Sequence, residues 1–329
     1  MANLSVTIAC NQSCSYCFAR GLPVPAGTGQ APMTRTTYLG LLDFLRRSGI
    51  PQVRLLGGEP TLHPDFTWFV DTALAEGFRL LVFSNGQMSE EARRRLEDAP
   101  SDRASVLLNF TAAVANREAG SERQRLVLER LGPRIILGFT VGAAPLDLER
   151  LLTLIDRHGL ARRVRVGLAH PELAASNTYL RPGAYARVGR QLAAFAGKAA
   201  QRDVAVEYDC GFVPCMFPEG SVPSFGGRQP PIGVRCEPVP DILPDGSFIA
   251  CYPLATVCRL EDDAVPTAAE VRRRMTEMLQ PYRALGIFRE CGECAWRAAG
   301  QCAGGCLSLA MQRVRAGPGG ASRVWERGV

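Results

Sequence analysis

The sequence has no apolar run near the roughly 20 residues that a membrane helix needs. Its opening, "MANLSVTIAC", lacks the basic stretch and small-residue cleavage site of a secretory signal, so a cytoplasmic protein is expected. Histidine is scarce, three in 329 residues, and none stands within forty residues of Cys17. There is no internal repeat and no run of Lys or Arg interleaved with aromatics that would suggest a nucleic-acid groove. The basic excess, 38 residues against 32 acidic, is spread over solvated helix faces such as "EEARRRLED". Neither nucleic acid nor a membrane surface is therefore an expected partner. What stands out is an abundance: twelve cysteines. A disulfide scaffold favours short secreted chains, and this chain is long with no export signal. In a reducing compartment, clustered thiols point to metal or iron–sulfur ligation.

Up to residue 208, short β-rich runs alternate with amphipathic helical patterns. Strands are expected at Leu4–Ile8, Gln52–Leu56, Arg79–Phe83, Ser105–Phe110, Ile135–Thr140 and Val164–Leu168. Helices are expected at Thr34–Arg47, Phe66–Glu76, Glu90–Glu97, Glu122–Leu131, Leu146–His158 and Ala184–Gln201. Six such units imply parallel strands joined by right-handed crossovers. The fold class is α/β, a partial (β/α)6 TIM-like barrel, with its chemistry in the loops after the strand carboxyl ends. Residues 209–310 are rich in Cys, Pro and Gly and poor in periodicity, which suits a small second domain held by metal, with one helix in Thr267–Leu285. Residues 311–329 are expected to form a mobile Gly-rich tail.

The first candidate site is "IACNQSCSYCFAR", where Cys10, Cys14 and Cys17 follow the first strand with spacing C-x3-C-x2-C. Three thiolates can hold three irons of a [4Fe–4S] cluster and leave the fourth iron open. Zinc is the alternative, but it needs a fourth ligand that the neighbourhood does not offer. A second motif, "LLGGEPTLHPDF", follows the second strand; Gly57 and Gly58 permit close backbone approach, and Glu59 can pair with an ammonium.

The triplet, with Tyr16 and Phe18 flanking its last cysteine, together with the Gly-Gly-Glu-Pro turn, resembles the radical S-adenosylmethionine (radical SAM) enzymes. The resemblance implies that the open iron chelates S-adenosylmethionine, that Gly57, Gly58 and Glu59 receive its methionine amino group, and that Ser84 and Asn85 of "FSNG" contact it. It further suggests Asn109 for the ribose hydroxyls and Leu168 for packing on the adenine. His63 and His170 also fall at strand ends, but each is followed by Pro and reads better as a loop-shaping residue than as a base.

The cysteines of the second half resemble a SPASM or shortened twitch extension, which binds auxiliary [4Fe–4S] clusters. "CEPVPDILPDGSFIAC" reads C-x9-G-x4-C, and "CGECAWRAAGQCAGGC" reads C-x2-C-x7-C-x3-C, two residues longer than the family spacing. By the family pattern Cys215, Cys236, Cys251 and Cys306 form a first auxiliary site, with Cys210 competing for the place of Cys215. Cys291, Cys294 and Cys302 begin a second, for which no cysteine after Cys306 supplies a fourth ligand. Either Cys258 or Cys210 fills that gap, or the second cluster stays open, or only one auxiliary cluster exists. Cys258 is also a candidate hydrogen donor to a substrate radical. The resemblance implies modification of a ribosomally made peptide by cross-link, thioether or epimerisation. Its alternative is an epimerase or dehydrogenase of a small molecule such as an aminocyclitol or nucleoside sugar. A non-catalytic iron–sulfur or zinc protein is more distant. Expected partners are a flavodoxin- or ferredoxin-type electron donor and a peptide or small-molecule substrate; since the chain opens on its first strand, a precursor peptide would need a separate peptide-recognition protein or direct docking.

Overall fold

The computed structural model describes residues 1–19, 31–110, 121–142, 146–173, 176–222, 236–261 and 266–315. Six strand–helix units form the first part. They are β1 Asn3–Thr7 with α1 Arg35–Arg47, β2 Gln52–Gly57 with α2 Phe66–Ala75, and β3 Arg79–Ser84 with α3 Glu90–Asp98. Then come β4 Ala104–Asn109 with α4 Glu122–Leu131, β5 Ile135–Val141 with α5 Glu149–His158, and β6 Arg163–Leu168 with α6 Tyr185–Ala200. The expected barrel elements are all present, with ends unchanged or shifted by at most three residues.

Local chemistry sets several helix starts. Thr34 and Ser89 accept the backbone N–H of Thr37 and Ala92, satisfying donors that the first turn leaves without partners. Ser121 and Gln124 form a reciprocal capping box on α4. The strands pair in parallel from β1 through β6. Their side chains alternate between two faces. Val106, Leu108, Val164, Val166 and Leu168 belong to the large core under the helices, while Leu81, Leu107 and Ile136 form a small separate cluster on the inner face.

Two features differ from expectation. A seventh strand, β7 Ala205–Tyr208, pairs in parallel with β6; four residues are too few for alternation to stand out. The Cys-rich part also contributes strands to the same sheet. Here β8 Asp241–Ile242 runs parallel to β1, and β9 Phe248–Ile249 and β10 Arg259–Leu260 continue it antiparallel. The order is β10-β9-β8-β1-β2-β3-β4-β5-β6-β7. Asn3 Nδ2 donates to Asp241 Oδ1 at 2.7 Å across the new junction.

Helix α7 spans Ala268–Leu279, shorter than expected, and passes into a 3-10 turn at Gln280–Tyr282, because Pro281 has no N–H to continue the α pattern. A single-turn α8, Ala295–Ala298, lies within the last cysteine block. The expected tail begins instead inside α9, Leu307–Arg315; the rest of it lies outside the described residues. No helix among the described residues is long and apolar enough to cross a membrane.

Candidate active site and cysteine centres

The loop after β1 is pinned by the turn after β2. Gly58 N donates to Thr7 O and Glu59 N to Ala9 O, both at 2.8 Å. A Cβ on Gly57 would sit 2.0 Å from Thr7 O, and one on Gly58 would sit 2.2 Å from Ala9 O. The glycines do serve close backbone approach, and what approaches is this chain's own cysteine loop.

Glu59 is fully buried, and its carboxylate is occupied. Oε1 accepts from Thr61 N at 3.3 Å, Thr61 Oγ1 at 2.7 Å and Ser84 Oγ at 2.9 Å; Oε2 accepts from Asn85 N at 2.7 Å. Burial raises its pKa against the pull of these hydrogen bonds. The carboxylate thus ties the turn after β2 to the end of β3, a task that the expected role as ammonium partner did not include.

From that anchored turn, Asn85 reaches the cysteine loop. Its Nδ2 lies 2.9 Å from Asn11 Oδ1 and 3.7 Å from Cys10 Sγ. Gln124 Nε2 donates to Asn85 O at 2.6 Å from the α4 cap. On the other side, Asn177 Nδ2 donates to Tyr16 O at 3.2 Å and Thr178 N to Ser15 O at 2.8 Å. Asn11, Gln124 and Asn177 were not singled out in the sequence. The Ser-x-x-Gln capping box at 121–124 was a usable signal for Gln124; the other two carry none.

Cys17 N donates to Cys14 O at 3.1 Å, turning the loop. Tyr16 is half-buried, and burial first, then Cys14, Cys17 and Cys10, raises its pKa. Burial likewise raises Cys10, aided by the charges of Glu59 and Cys17. A ligand thiol must lose its proton, and the positive irons of a cluster would supply the missing compensation. Among the described residues, no group of three or more His, Cys, Asp or Glu side chains converges on one ion position. A tetrairon cluster makes no such demand, because each thiolate binds its own iron. The donor set therefore fits a cluster better than a single zinc.

The remaining candidates separate. Asn109 alternates with Leu107 on the inner face, its Oδ1 2.9 Å from where Gly138 would carry a Cβ. Leu168 lies on the opposite, helix-facing side, in the large core at 5% exposure; a one-residue change of register inverts the face that a strand residue presents. His63 shapes its loop as expected: Nδ1 accepts from Asp65 N and Nε2 meets Met33 O, both at 2.9 Å. His170 is buried with Nε2 3.3 Å from Cys210 O; burial acts to lower its pKa, but Cys306 and Cys210 raise it well above the ordinary value.

The later cysteines fall into two neighbourhoods. Burial raises the pKa of Cys236 to about 12, and the thiols that add to it are Cys306 and Cys210. Burial and then Cys236, Cys306 and Cys210 raise Cys251. Cys215 instead shares a small cavity with Cys291, Cys294 and Cys302. Cys258 stands apart. It is fully buried, Sγ 3.9 Å from both Met275 O and Met278 Sδ, and burial raises its pKa to about 11 with no other cysteine contributing. That placement suits a small buried hydrophobe.

A parallel α/β sheet that carries a three-cysteine loop on one strand end, latched to its neighbour by a Gly-Gly-Glu turn, defines an iron–sulfur enzyme class. The family model described as the Radical SAM superfamily matches residues 4–132. An S-adenosylmethionine-dependent nucleotide dehydratase of Selenomonas ruminantium is 34% identical over 87 residues, 26% of this chain and 30% of that protein. This chain thus spans about a third of the length of such relatives. A PqqA peptide cyclase of Rhodopseudomonas palustris is 25% identical over 324 residues, covering 89% of this chain and 78% of that protein. In fold, the chain is similar to Streptococcus suis SuiB bound to its precursor peptide SuiA, with TM-score 0.64, 12% identity, and coverage of 94% and 72%. Residues 4–132 of the chain are thus of radical SAM type. That family implies S-adenosylmethionine and a [4Fe–4S] cluster.

Proposed function

We propose that this chain is a radical SAM enzyme that modifies a peptide, with Cys10, Cys14 and Cys17 holding the catalytic cluster and the later cysteines holding auxiliary clusters of SPASM type. The observation that carries the substrate class is the extent of the likeness to the peptide cyclase. It reaches across 89% of the chain and so includes the Cys-rich half. The likeness to the nucleotide dehydratase stops at 26% of the chain. When bound, the cluster and S-adenosylmethionine supply a 5′-deoxyadenosyl radical that removes a hydrogen atom from the substrate.

The chain's own residues do the positioning. Glu59, Ser84 and Asn85 set the shape of the cofactor rim, and Asn109 offers an amide on the inner face. Asn177 holds the far side of the cysteine loop. The test is anaerobic reconstitution, reduction and addition of S-adenosylmethionine, with 5′-deoxyadenosine measured with and without precursor peptides encoded beside the gene. A peptide that raises the yield and changes mass supports the reading; stimulation only by a nucleotide or aminocyclitol would replace it with the small-molecule alternative.

A further inference from the structure

The family pattern leaves the second auxiliary site one ligand short after Cys306 and gives the first site two competitors, Cys210 and Cys215. Tertiary placement resolves both problems together. Cys215 stands in the 3-10 turn Pro214–Met216, clamped onto α6 where Gly189 has no side chain. A Cβ on Gly189 would lie 1.8 Å from Met216 O. From that turn Cys215 lines one cavity with Cys291, Cys294 and Cys302, walled by Phe288 and Trp296.

The other side of that cavity is equally constrained. A Cβ on Gly286 would lie 2.4 Å from Cys291 Cβ, and Gly304 crosses Gly286 closely enough that its own Cβ would be 3.1 Å from Gly286 Cα. Gly304 N donates to Cys302 Sγ at 3.3 Å. Arg297 fastens the same segment through Arg283 O at 2.9 Å and Ala284 O at 2.8 Å. The positions of these thiols are thus built by glycine contacts and a guanidinium staple.

Cys210 is held independently. Gly211, at φ +94°, lies against the buried His170 ring, where a Cβ would be 2.1 Å from His170 Cε1, and His170 Nε2 meets Cys210 O. Between the two cysteines, Phe212 and Val213 are buried in the core and anchor the connecting chain. Phe212 packs edge-on against Tyr208 with ring centroids 4.9 Å apart. One short segment thereby presents two thiols to two different groups. With Cys215, Cys291, Cys294 and Cys302 on that cavity, Cys10, Cys14 and Cys17 in the first loop, and Cys258 buried against Met275 and Met278, the cysteines left to join Cys210 are Cys236, Cys251 and Cys306.

We infer that the segment 210–215 is shared between two closed tetrathiolate sites: Cys210, Cys236, Cys251 and Cys306 hold one auxiliary iron–sulfur cluster, and Cys215, Cys291, Cys294 and Cys302 hold the other. This rests on the auxiliary-cluster reading above. It makes Cys215 the missing eighth ligand, takes it out of the first site, and leaves neither cluster an open iron for substrate.

The test uses the full chain with Cys10, Cys14 and Cys17 replaced by Ala, reconstituted anaerobically, with iron, sulfide and zinc counted. About eight irons and no zinc are expected for two tetrairon clusters; about four irons, or zinc, would overturn the two-cluster reading before any pairing is asked. In that background, Cys215→Ser with Cys291→Ser should retain about four irons, since both changes fall on one site. Cys215→Ser with Cys306→Ser should lose nearly all. The reverse pattern overturns the pairing. Because double variants can unfold the segment, the single Cys215→Ser, Cys291→Ser and Cys306→Ser variants are also compared by electron paramagnetic resonance of the reduced protein. Cys215→Ser should alter the signal that Cys291→Ser alters and leave the one that Cys306→Ser alters. A Cys215→Ser spectrum that follows Cys306→Ser refutes the assignment.

Discussion

Glu59 is where removing one side chain should cost the most per atom. Its carboxylate accepts four hydrogen bonds, at 2.7 to 3.3 Å, from donors on Thr61, Ser84 and Asn85. Glu59→Ala leaves three residues with stranded donors in a buried setting. An unsatisfied buried polar group costs about 1–3 kcal/mol, so the sum is on the order of 4 kcal/mol once water enters part of the gap. That is a large share of a typical stability of about 5–15 kcal/mol. Glu59→Gln keeps the shape and one acceptor oxygen but points amide hydrogens at a donor, for about 2 kcal/mol. Urea unfolding of the two variants should rank them wild type, Gln, Ala by midpoint at constant slope. The same order should hold for iron retained at the three-cysteine loop, because Asn85 transmits the disorder to Cys10. An Ala variant with a wild-type midpoint, or one less damaged than Gln, would refute the view that this carboxylate is a structural tie.

Three further outcomes follow from the geometry. Gly58→Ala places a Cβ 2.2 Å from Ala9 O and 2.5 Å from Ile8 O. Soluble yield and iron content of the first cluster should fall several-fold, whereas Gly40→Ala, with open space around it, should leave both unchanged. Burial raises Asp241 to about pKa 7 although Asn3 donates to it. An acid whose folded pKa lies above its unfolded value of about 3.9 gives stability that is complete below pH 4 and lost as pH rises to 7. At about 1.4 kcal/mol per unit, Asp241→Asn should match wild type near pH 4 and exceed it by up to about 4 kcal/mol at pH 8. Thermal unfolding across that range checks it, and parallel curves would sink it. Cys258→Ala should cost about 1 kcal/mol in unfolding free energy and leave both 5′-deoxyadenosine and modified product unchanged; loss of product alone would restore its role as hydrogen donor.

Much of the site was legible before the fold was seen, for a local reason. A cysteine triplet at the end of a strand and a Gly-Gly-Glu turn at the end of the next are each short, and parallel βα units place successive strand ends side by side. That geometry joins Cys10 to Gly58 and Glu59 without any long-range information. The same reasoning does not reach Leu168, where only the register of β6 decides between the inner face and the helix-facing core. It also failed at Asn177, which holds the cysteine loop by a contact between residues 161 apart in sequence.

The sequence by itself determined the parallel α/β class, the three-thiol loop and the abundance of later cysteines, because periodicity and short spacings are properties of neighbouring residues. Tertiary structure alone decided that β8 to β10 extend the barrel sheet. It alone showed that Glu59 is tied by Ser84 and Asn85, and that Cys258 is buried away from the other thiols. It also placed Cys215, five residues after Cys210, on one cavity with Cys291, Cys294 and Cys302. Those outcomes depend on which surfaces meet: two-residue strands carry no alternation, and a cysteine's partners are set by the glycine contacts and buried anchors around it, not by its spacing along the chain.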